Sequence, residues 1–333
     1  MRNAVHRRAH RRLGTLVAGP LFGLLTACAT APALVDVLPR CDDRVRAPLE
    51  LELERALQID GVDDLEPSGL MLRRVNGRDQ LLAVSDKHDH EIFELHLQPA
   101  AVVARPIVRF TPPAGVALDG EGIVGTPDGG FLLASEAQYR ILKVTPAGEA
   151  EWHTPPLLEL GRRAGLFQRR NAGIEGVTIW SGELVLAAER EPRGLIELKE
   201  GNSQEATTNV PGPNAYAVPD ALCPAPLGRP NDFADLSVAG GHLFALVRNA
   251  HLVVRLEKVG DRFHEAEVWS YARTENDPAF AYRDRTFGLG EGLAVDDTHV
   301  YVVLDNNGQG RVRDRDDRRP LLFVFRRPRA GGS

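Results

Sequence analysis

Short apolar runs, some alternating and some continuous, recur along most of the chain, bounded by Gly, Asp, Asn and Pro. Long helical periodicity is scarce. Runs of this length with these boundaries read as strands joined by turns. The pattern repeats. One copy is PSGLMLRRVNGRDQLLAVSDKHDHEIFELHL (67–97) and the next is GEGIVGTPDGGFLLASEAQYRILKVTPAG (120–148). Then come IEGVTIWSGELVLAAEREPRGLIELKEG (174–201) and ADLSVAGGHLFALVRNAHLVVRLEKVGD (234–261). The last copy is GEGLAVDDTHVYVVLDNNGQGRVRD, continuing to LLFVFRR (290–327).

Each copy has one grammar. An acidic or hydroxyl residue opens a short strand, a Gly- or Asp-containing turn follows, and a second apolar strand ends on a charged residue. A third strand comes after a short loop. The openers are Ser68, Glu121, Glu175, Asp235 and Glu291, separated by 53, 54, 60 and 56 residues. The closers are Asp86, Glu136, Glu189, Arg248 and Asp305. A period of about 50 residues with three or four strands per unit points to an all-β chain folded as a β-propeller. AVVARPIVRF (101–110), EAEWHT (149–154) and HEAEVWSY (264–271) read as outer fourth strands. The last copy runs out before its own, and LELELERAL (49–57) can supply it, closing the ring and hiding a sheet edge. This favours five blades; a sixth would have to lie in 202–230. A two-sheet sandwich is the competing fold, and it requires no such repeat. The insertion PPLLELGRRAGLFQRR (155–170) has room for a short helix, and NVPGPNAYAVPDALCPAPLGRP (209–230) is a Pro-rich loop. Both precede openers, so both belong on the opener face.

The segment before the repeats reads as a targeting signal. Arg2, Arg7, Arg8, Arg11 and Arg12 precede the apolar stretch LGTLVAGPLFGLLTA (13–27), which is short for a membrane span. LTAC (25–28) resembles a bacterial lipobox, which implies cleavage before Cys28 and lipid attached to it; Ala29 then favours the outer membrane. The alternative is an ordinary signal peptide with Cys28 incidental. The expected organisation is a signal over 1–27, a lipid-anchored linker over 28–45, the propeller over 46–328 and a tail over 329–333. The expected state is a monomer in the bacterial envelope, facing the periplasm and touching the membrane through its lipid alone. The whole chain has 40 basic and 46 acidic residues, net −6. Without 1–27, which hold five Arg and no acid, 35 basic residues face 46 acidic ones, net −11. That argues against nucleic acid and anionic surfaces as partners and suits a cation site. Cys41 and Cys223 can pair in an oxidising compartment, or remain free.

In a propeller the innermost strand of each blade runs along the axis and the next strand returns. The start of the first and the end of the second then share a face. Ring closure therefore brings openers and closers to one mouth of the channel. Glu121, Glu175, Asp235, Glu291 and Asp86 are candidate ligands for a hard divalent cation, Ca²⁺ above Zn²⁺, because oxygen donors dominate and no compact His/Cys cluster exists. Crowded carboxylates otherwise raise one another's pKa. The glycines after the openers (Gly69, Gly122, Gly176, Gly292) allow close backbone approach. Asn171, Asn231 and Asn306 can add amide oxygens. The plainer alternative is that these acids bond neighbouring backbone N–H groups, repeated because the blades repeat. KHDH (87–90) reads as a solvated loop more readily than as a His metal pair, and RVRDRDDRR (311–319) as a mixed-charge loop. No nucleophile elbow, zinc-protease helix motif or phosphate-binding glycine loop occurs.

GEGLAVDD…VLDNN, NAGIEGV…AAERE and GEGI…PDGGFLLASE together resemble the bacterial phytase-like propeller family, with the esterase-like activity of phytase. SGL…VSDK…IFEL followed by DGEGI…FLLASE resembles the SdiA-regulated family. The similarity covers about residues 60–326. It implies an envelope or secreted propeller with metal-assisted phosphoester or ester hydrolysis. Departures stand at Ser68, at Asp235 followed by Leu236 rather than Gly, and at Arg248, so a one-sided site is expected rather than a fivefold ring. Under this reading Glu136, Glu189 or Asp305 serves as general base, Arg248 or Lys87 holds an anion, and Arg190 and Asn306 contact substrate. A small-molecule ester or phosphoester is then the partner, with no organic cofactor. A non-catalytic platform for a protein, peptide or glycan in the periplasm, with any calcium structural, is the alternative.

Overall fold

The apolar runs form antiparallel meanders. A computed structural model describes residues 48–199, 214–217, 229–260, 262–283 and 287–329, all within the unit Pro39–Ser333. Two strands, β1 (Leu49–Glu50) and β2 (Glu52–Asp60), precede the repeats. The first repeat supplies β3 (Pro67–Val75), β4 (Arg78–Ser85), β5 (Glu91–Leu97) and β6 (Ala101–Arg109). The second supplies β7 (Gly120–Gly125), β8 (Phe131–Ser135), β9 (Arg140–Val144) and β10 (Ala150–Trp152). The third supplies β11 (Ile174–Trp180), β12 (Glu183–Ala188), β13 (Gly194–Lys199) and β14 (Asn214–Ala217). The fourth supplies β15 (Asp235–Ala239), β16 (His242–Val247), β17 (Leu252–Val259) and β18 (Arg262–Ser270). The last supplies β19 (Gly290–Val295), β20 (His299–Leu304) and β21 (Leu321–Arg326).

The missing fourth strand of the last unit is β2. It pairs antiparallel with β21, from Glu52 opposite Arg326 to Gln58 opposite Leu321. The end of β2 also pairs parallel with β6, so the last and first units read as one eight-stranded sheet. β1 pairs parallel with β18 of the fourth unit. The inner strands pack in a closed circuit: β3 on β7, β7 on β11, β11 on β15, β15 on β19, and β19 on β3. The hydrophobic core follows that circuit, as five clusters lying between neighbouring units. The second strands are covered on both faces. They therefore read as continuous apolar runs such as LVLAA (184–188) and LFALV (243–247), fully buried.

This is a β-propeller, its described strands lying in sheets of five, four, four and eight strands, the last of which joins the final and first repeats. The closed circuit of inner strands excludes a two-sheet sandwich. Within 202–230 the described strand is β14, and it pairs with β13 as the outer strand of the third unit. A short helix, α1 (Leu158–Arg163), lies in the first insertion, and α2 (Ala272–Glu275) lies ahead of β19. No described helix is long and apolar enough to cross a membrane. Cys28, Cys41, Cys223 and the signal expected over 1–27 lie outside the described residues.

Candidate functional site: an acidic cup at the channel mouth

The openers reach the channel mouth through an irregularity in the sheet. Pairing slips at Pro67/Gly69, Gly120/Ile123, Ile174/Val177 and Gly290/Gly292. A bulge of this kind bends the strand and re-aims a side chain. Ser68, Glu121, Glu175 and Glu291 sit at these four slips. The glycine after each lets the next inner strand touch backbone. A Cβ on Gly69 would stand 2.0 Å from the Glu121 carbonyl oxygen, and one on Gly122 would stand 2.7 Å from that of Glu175. The fourth inner strand lacks the glycine and pairs without a slip.

Four openers and all five closers line one cup of about 470 Å³, together with Asp119, Asn171, Arg190, Glu191, Arg229, Pro230, Asn249, Phe287 and Asn307. Nine of the lining residues are acids and three are arginines, so the cup is strongly anionic. Arg248 balances one side. Its guanidinium donates to Asp232 at 2.9 Å and also to Glu189 and Glu291. Burial opposes its charge, but Glu291, Asp232 and Glu175 outweigh burial and hold it firmly protonated. On the other side, Asp119, Glu121 and Glu136 each offer an oxygen within 4.8 Å of the others. Glu136, Glu175 and Glu189 do the same. Among the described residues no hydrogen bond reaches the carboxylates of Glu121 or Glu175, and Glu189 Oε2, Glu291 Oε2 and Asp86 Oδ1 are buried without a partner.

These carboxyls hold their protons tightly. Burial pushes Glu121 and Glu175 well above the usual range, and the acids around each add to it. Burial also raises Asp119 and Glu136, which hydrogen-bond to each other, while the Gly173 N–H at 2.9 Å pulls Glu136 back. Burial lifts Glu291 to about 8 against the pull of Arg248. Asp305 rises to about 7, again chiefly through burial, against the Asn307 N–H it accepts. An all-oxygen donor set with buried, unpartnered acceptors fits a hard divalent cation.

Four residues expected at the site, Asp235, Asn306, Lys87 and Asn231, do not line the cup. Asp235 is fully buried below it and accepts the N–H groups of Leu70 (3.1 Å), Leu293 (2.8 Å) and its neighbour Leu236 (2.7 Å). It joins three inner strands, the plainer alternative realised at one position. Asn306 is buried and donates to the carbonyls of Gln309 and Arg318, both at 2.7 Å, while Asn307 lines the cup instead. The expected anion holders are already paired. Lys87 lies 3.1 Å from Glu66 and 2.5 Å from Asp86, and Arg190 pairs with Glu189 and donates to the Asn171 carbonyl. RVRDRDDRR is folded rather than loose, since Arg311 is buried, pairs with Asp317 at 3.4 Å and covers the Tyr282 ring.

Asp119 and Asp89 were not singled out from sequence. Asp119 is the residue before GEG, in the left-handed region at φ 51. Asp89, in KHDH, accepts the N–H groups of Leu118 (2.9 Å), Asp119 (3.2 Å) and Gly120 (3.1 Å) and so fixes that turn. A carboxylate within a charged loop, two residues after the closer pair Asp86-Lys87, gives no signal of what it caps, because the capped turn belongs to the next unit.

Fold and site together define a β-propeller with an acidic cup at one end of its channel. The chain belongs to the phytase-like family, described by the esterase-like activity of phytase, which matches residues 67–307. No curated protein matches it. Among solved structures, glutaminyl cyclase of Myxococcus xanthus is similar at 14% identity and TM-score 0.51, over 84% of this chain and 98% of that one. A putative gluconolactonase is similar at 10% identity and TM-score 0.45 (83% and 94% covered), and a streptogramin B lyase at 9% and 0.43 (82% and 97%). At such identities the likeness concerns the fold alone.

Proposed function

We propose that this phytase-like propeller binds a divalent cation, calcium by its donor set, on the second- and third-unit side of the cup and hydrolyses phosphoesters or carboxylic esters there. The observation that carries this reading is the buried, unpartnered Oε2 of Glu189 in a group with Glu136 and Glu175 whose oxygens lie within 4.8 Å of one another, beside the like group of Asp119, Glu121 and Glu136. Asp119, Glu121, Glu136, Glu175 and Glu189 are the residues that would hold the ion. When bound, such an ion polarises a phosphoryl or carbonyl oxygen and acidifies water. Arg248 holds Glu189 and Glu291 in place. Asp305, raised to about 7, is suited to take and return a proton near neutral pH. The propeller would stand in the bacterial envelope, tethered through lipid at Cys28.

One observation favours a second reading, a non-catalytic platform with structural calcium. Lys87, Arg190 and Arg248 are each already paired with carboxylates, so an anionic substrate must compete for them. Hydrolysis of generic phosphomonoesters and carboxylic esters, with calcium and with chelator, separates the two. The enzyme reading expects turnover that chelator abolishes and that Asp305→Asn lowers by about 10²-fold or more. No turnover of any ester under either condition removes it and leaves the platform.

A further inference from the structure

The entry to β19 is gripped by the fourth unit and the turn that follows it. Gly288, Leu289, Gly290 and Glu291 are each met by a group from there. A Cβ on Gly288 would stand 2.0 Å from the Arg248 carbonyl oxygen, and one on Gly290 would stand 2.5 Å from the Tyr271 hydroxyl. The Arg248 guanidinium donates to Glu291. The Leu289 N–H donates at 2.9 Å to Oε1 of Glu275, in α2. The other carboxyl oxygen of Glu275 lies 2.9 Å from Nδ1 of His251. Both side chains are buried, and neither lines the cup. Their backbones are tied as well. The Tyr271 N–H donates to the His251 carbonyl at 3.0 Å, and the Glu275 N–H to the Tyr271 carbonyl at 3.1 Å. His251 stands at φ 54, a conformation uncommon outside glycine.

Leu289 matters because both of its backbone groups are engaged. Its carbonyl accepts the Asp305 N–H at 2.9 Å. One residue thus joins His251 and Glu275 to the opener Glu291, two positions on, and to the closer Asp305, both of which line the cup. Resting on the reading of the cup as the functional site, we infer that His251 and Glu275 are positioning residues for it: their buried pair clasps Leu289 and, through that residue, fixes where Glu291 and Asp305 stand. Glu275 gives one oxygen to the histidine and one to the Leu289 N–H, so both acceptors are answered and the carboxyl is pinned at both ends. Burial opposes charge on His251, but the bond to Glu275 outweighs it, Asp232 adds to the pull, and the imidazole rises above its ordinary value. The histidine therefore keeps its charge, and its hold on Glu275, to higher pH.

The test is an NMR titration of the full chain, isotope-labelled at the aspartate carboxyl carbons and kept in chelator so that no cation enters. The Asp305 signal is assigned by its absence from Asp305→Asn, and in wild type it is expected to titrate at about 7. Glu275→Ala frees Leu289 and opens Asp305 to water, so the midpoint is expected to fall by about one pH unit or more. Glu275→Gln keeps an oxygen for the Leu289 N–H and is expected to hold the midpoint within about 0.3 of wild type. Glu265→Ala breaks the buried Arg193–Glu265 pair (2.6 Å), away from the cup, and controls for a purely structural loss; it is expected to leave the midpoint unmoved. If Glu275→Ala does not fold, His251→Ala, which leaves Glu275 unheld, decides, with a fall in the same direction. A midpoint unmoved in the folded variant, or moved as far by Glu265→Ala, overturns the clasp. Ester hydrolysis is judged apart. Where wild type turns over an ester, Glu275→Ala is expected to lower kcat about tenfold or more with KM little changed. No turnover by wild type removes the hydrolase reading, and the titration still decides the clasp.

Discussion

Asp235 stands where an opener is expected and serves the fold instead. Three backbone N–H groups converge on its carboxylate, from the inner strands of the first, fourth and fifth units. Burial raises its pKa well above the usual range despite those donors. Removing the side chain would strand buried N–H groups on Leu70 and Leu293. Asp235→Ala is therefore expected to lower unfolding free energy by about 2–5 kcal/mol, and Asp235→Asn by less, in a urea titration. A change within about 0.5 kcal/mol for Asp235→Ala would place it with ordinary surface substitutions and contradict the staple. The alignment of the repeats put Asp235 in the right row but not in its role. Leu236 in place of glycine was the legible clue, because without glycine there is no slip to turn the side chain outward. Arg248 was legible as the odd basic closer. Its three partners were not, since Asp232, Glu189 and Glu291 meet it from three units.

At the scale of the element, the repeated acid–glycine pair does two jobs at once. The slip aims the acid at the mouth, and the absent Cβ lets adjacent inner strands touch. Gly69→Ala puts a methyl carbon 2.0 Å from a backbone oxygen, whereas at Gly120 the nearest atom is a side-chain oxygen at 3.6 Å. Gly69→Ala is expected to cost about 1–3 kcal/mol or more in denaturant unfolding, and Gly120→Ala clearly less. Equal effects would contradict the backbone contact as the reason for the glycine. Strands, outer strands and the short helix in 155–170 were all readable from the apolar pattern, because each is encoded within about ten residues. The parallel pairing of β1 with β18 and the folded loop around Arg311 were not, because β1 finds Trp269 and Ser270 far along the chain and Arg311 is held by a carboxylate and a ring that no apolar pattern marks.

For the whole molecule, closure is what turns scattered acids into a site. β2 completes the last unit and covers the edges of β21 and β6, so the circuit has no gap through which the inner strands could splay. Openers and closers then meet because every unit presents the same end of its first two strands to the same face. That convergence was legible as soon as the repeat was seen. The full membership of the acidic group was not: Asp119 enters through a turn held by Asp89 of the preceding unit, a contact that no local pattern encodes.

The most direct measurement is a crystal structure of the full chain grown with calcium. The account predicts calcium bound in the cup, with Glu121, Glu136 and Glu175 among its oxygen ligands and Arg248 still joined to Asp232 and Glu291. Calcium bound elsewhere with the cup filled by water alone, or these three glutamates dispersed around the rim, would contradict it.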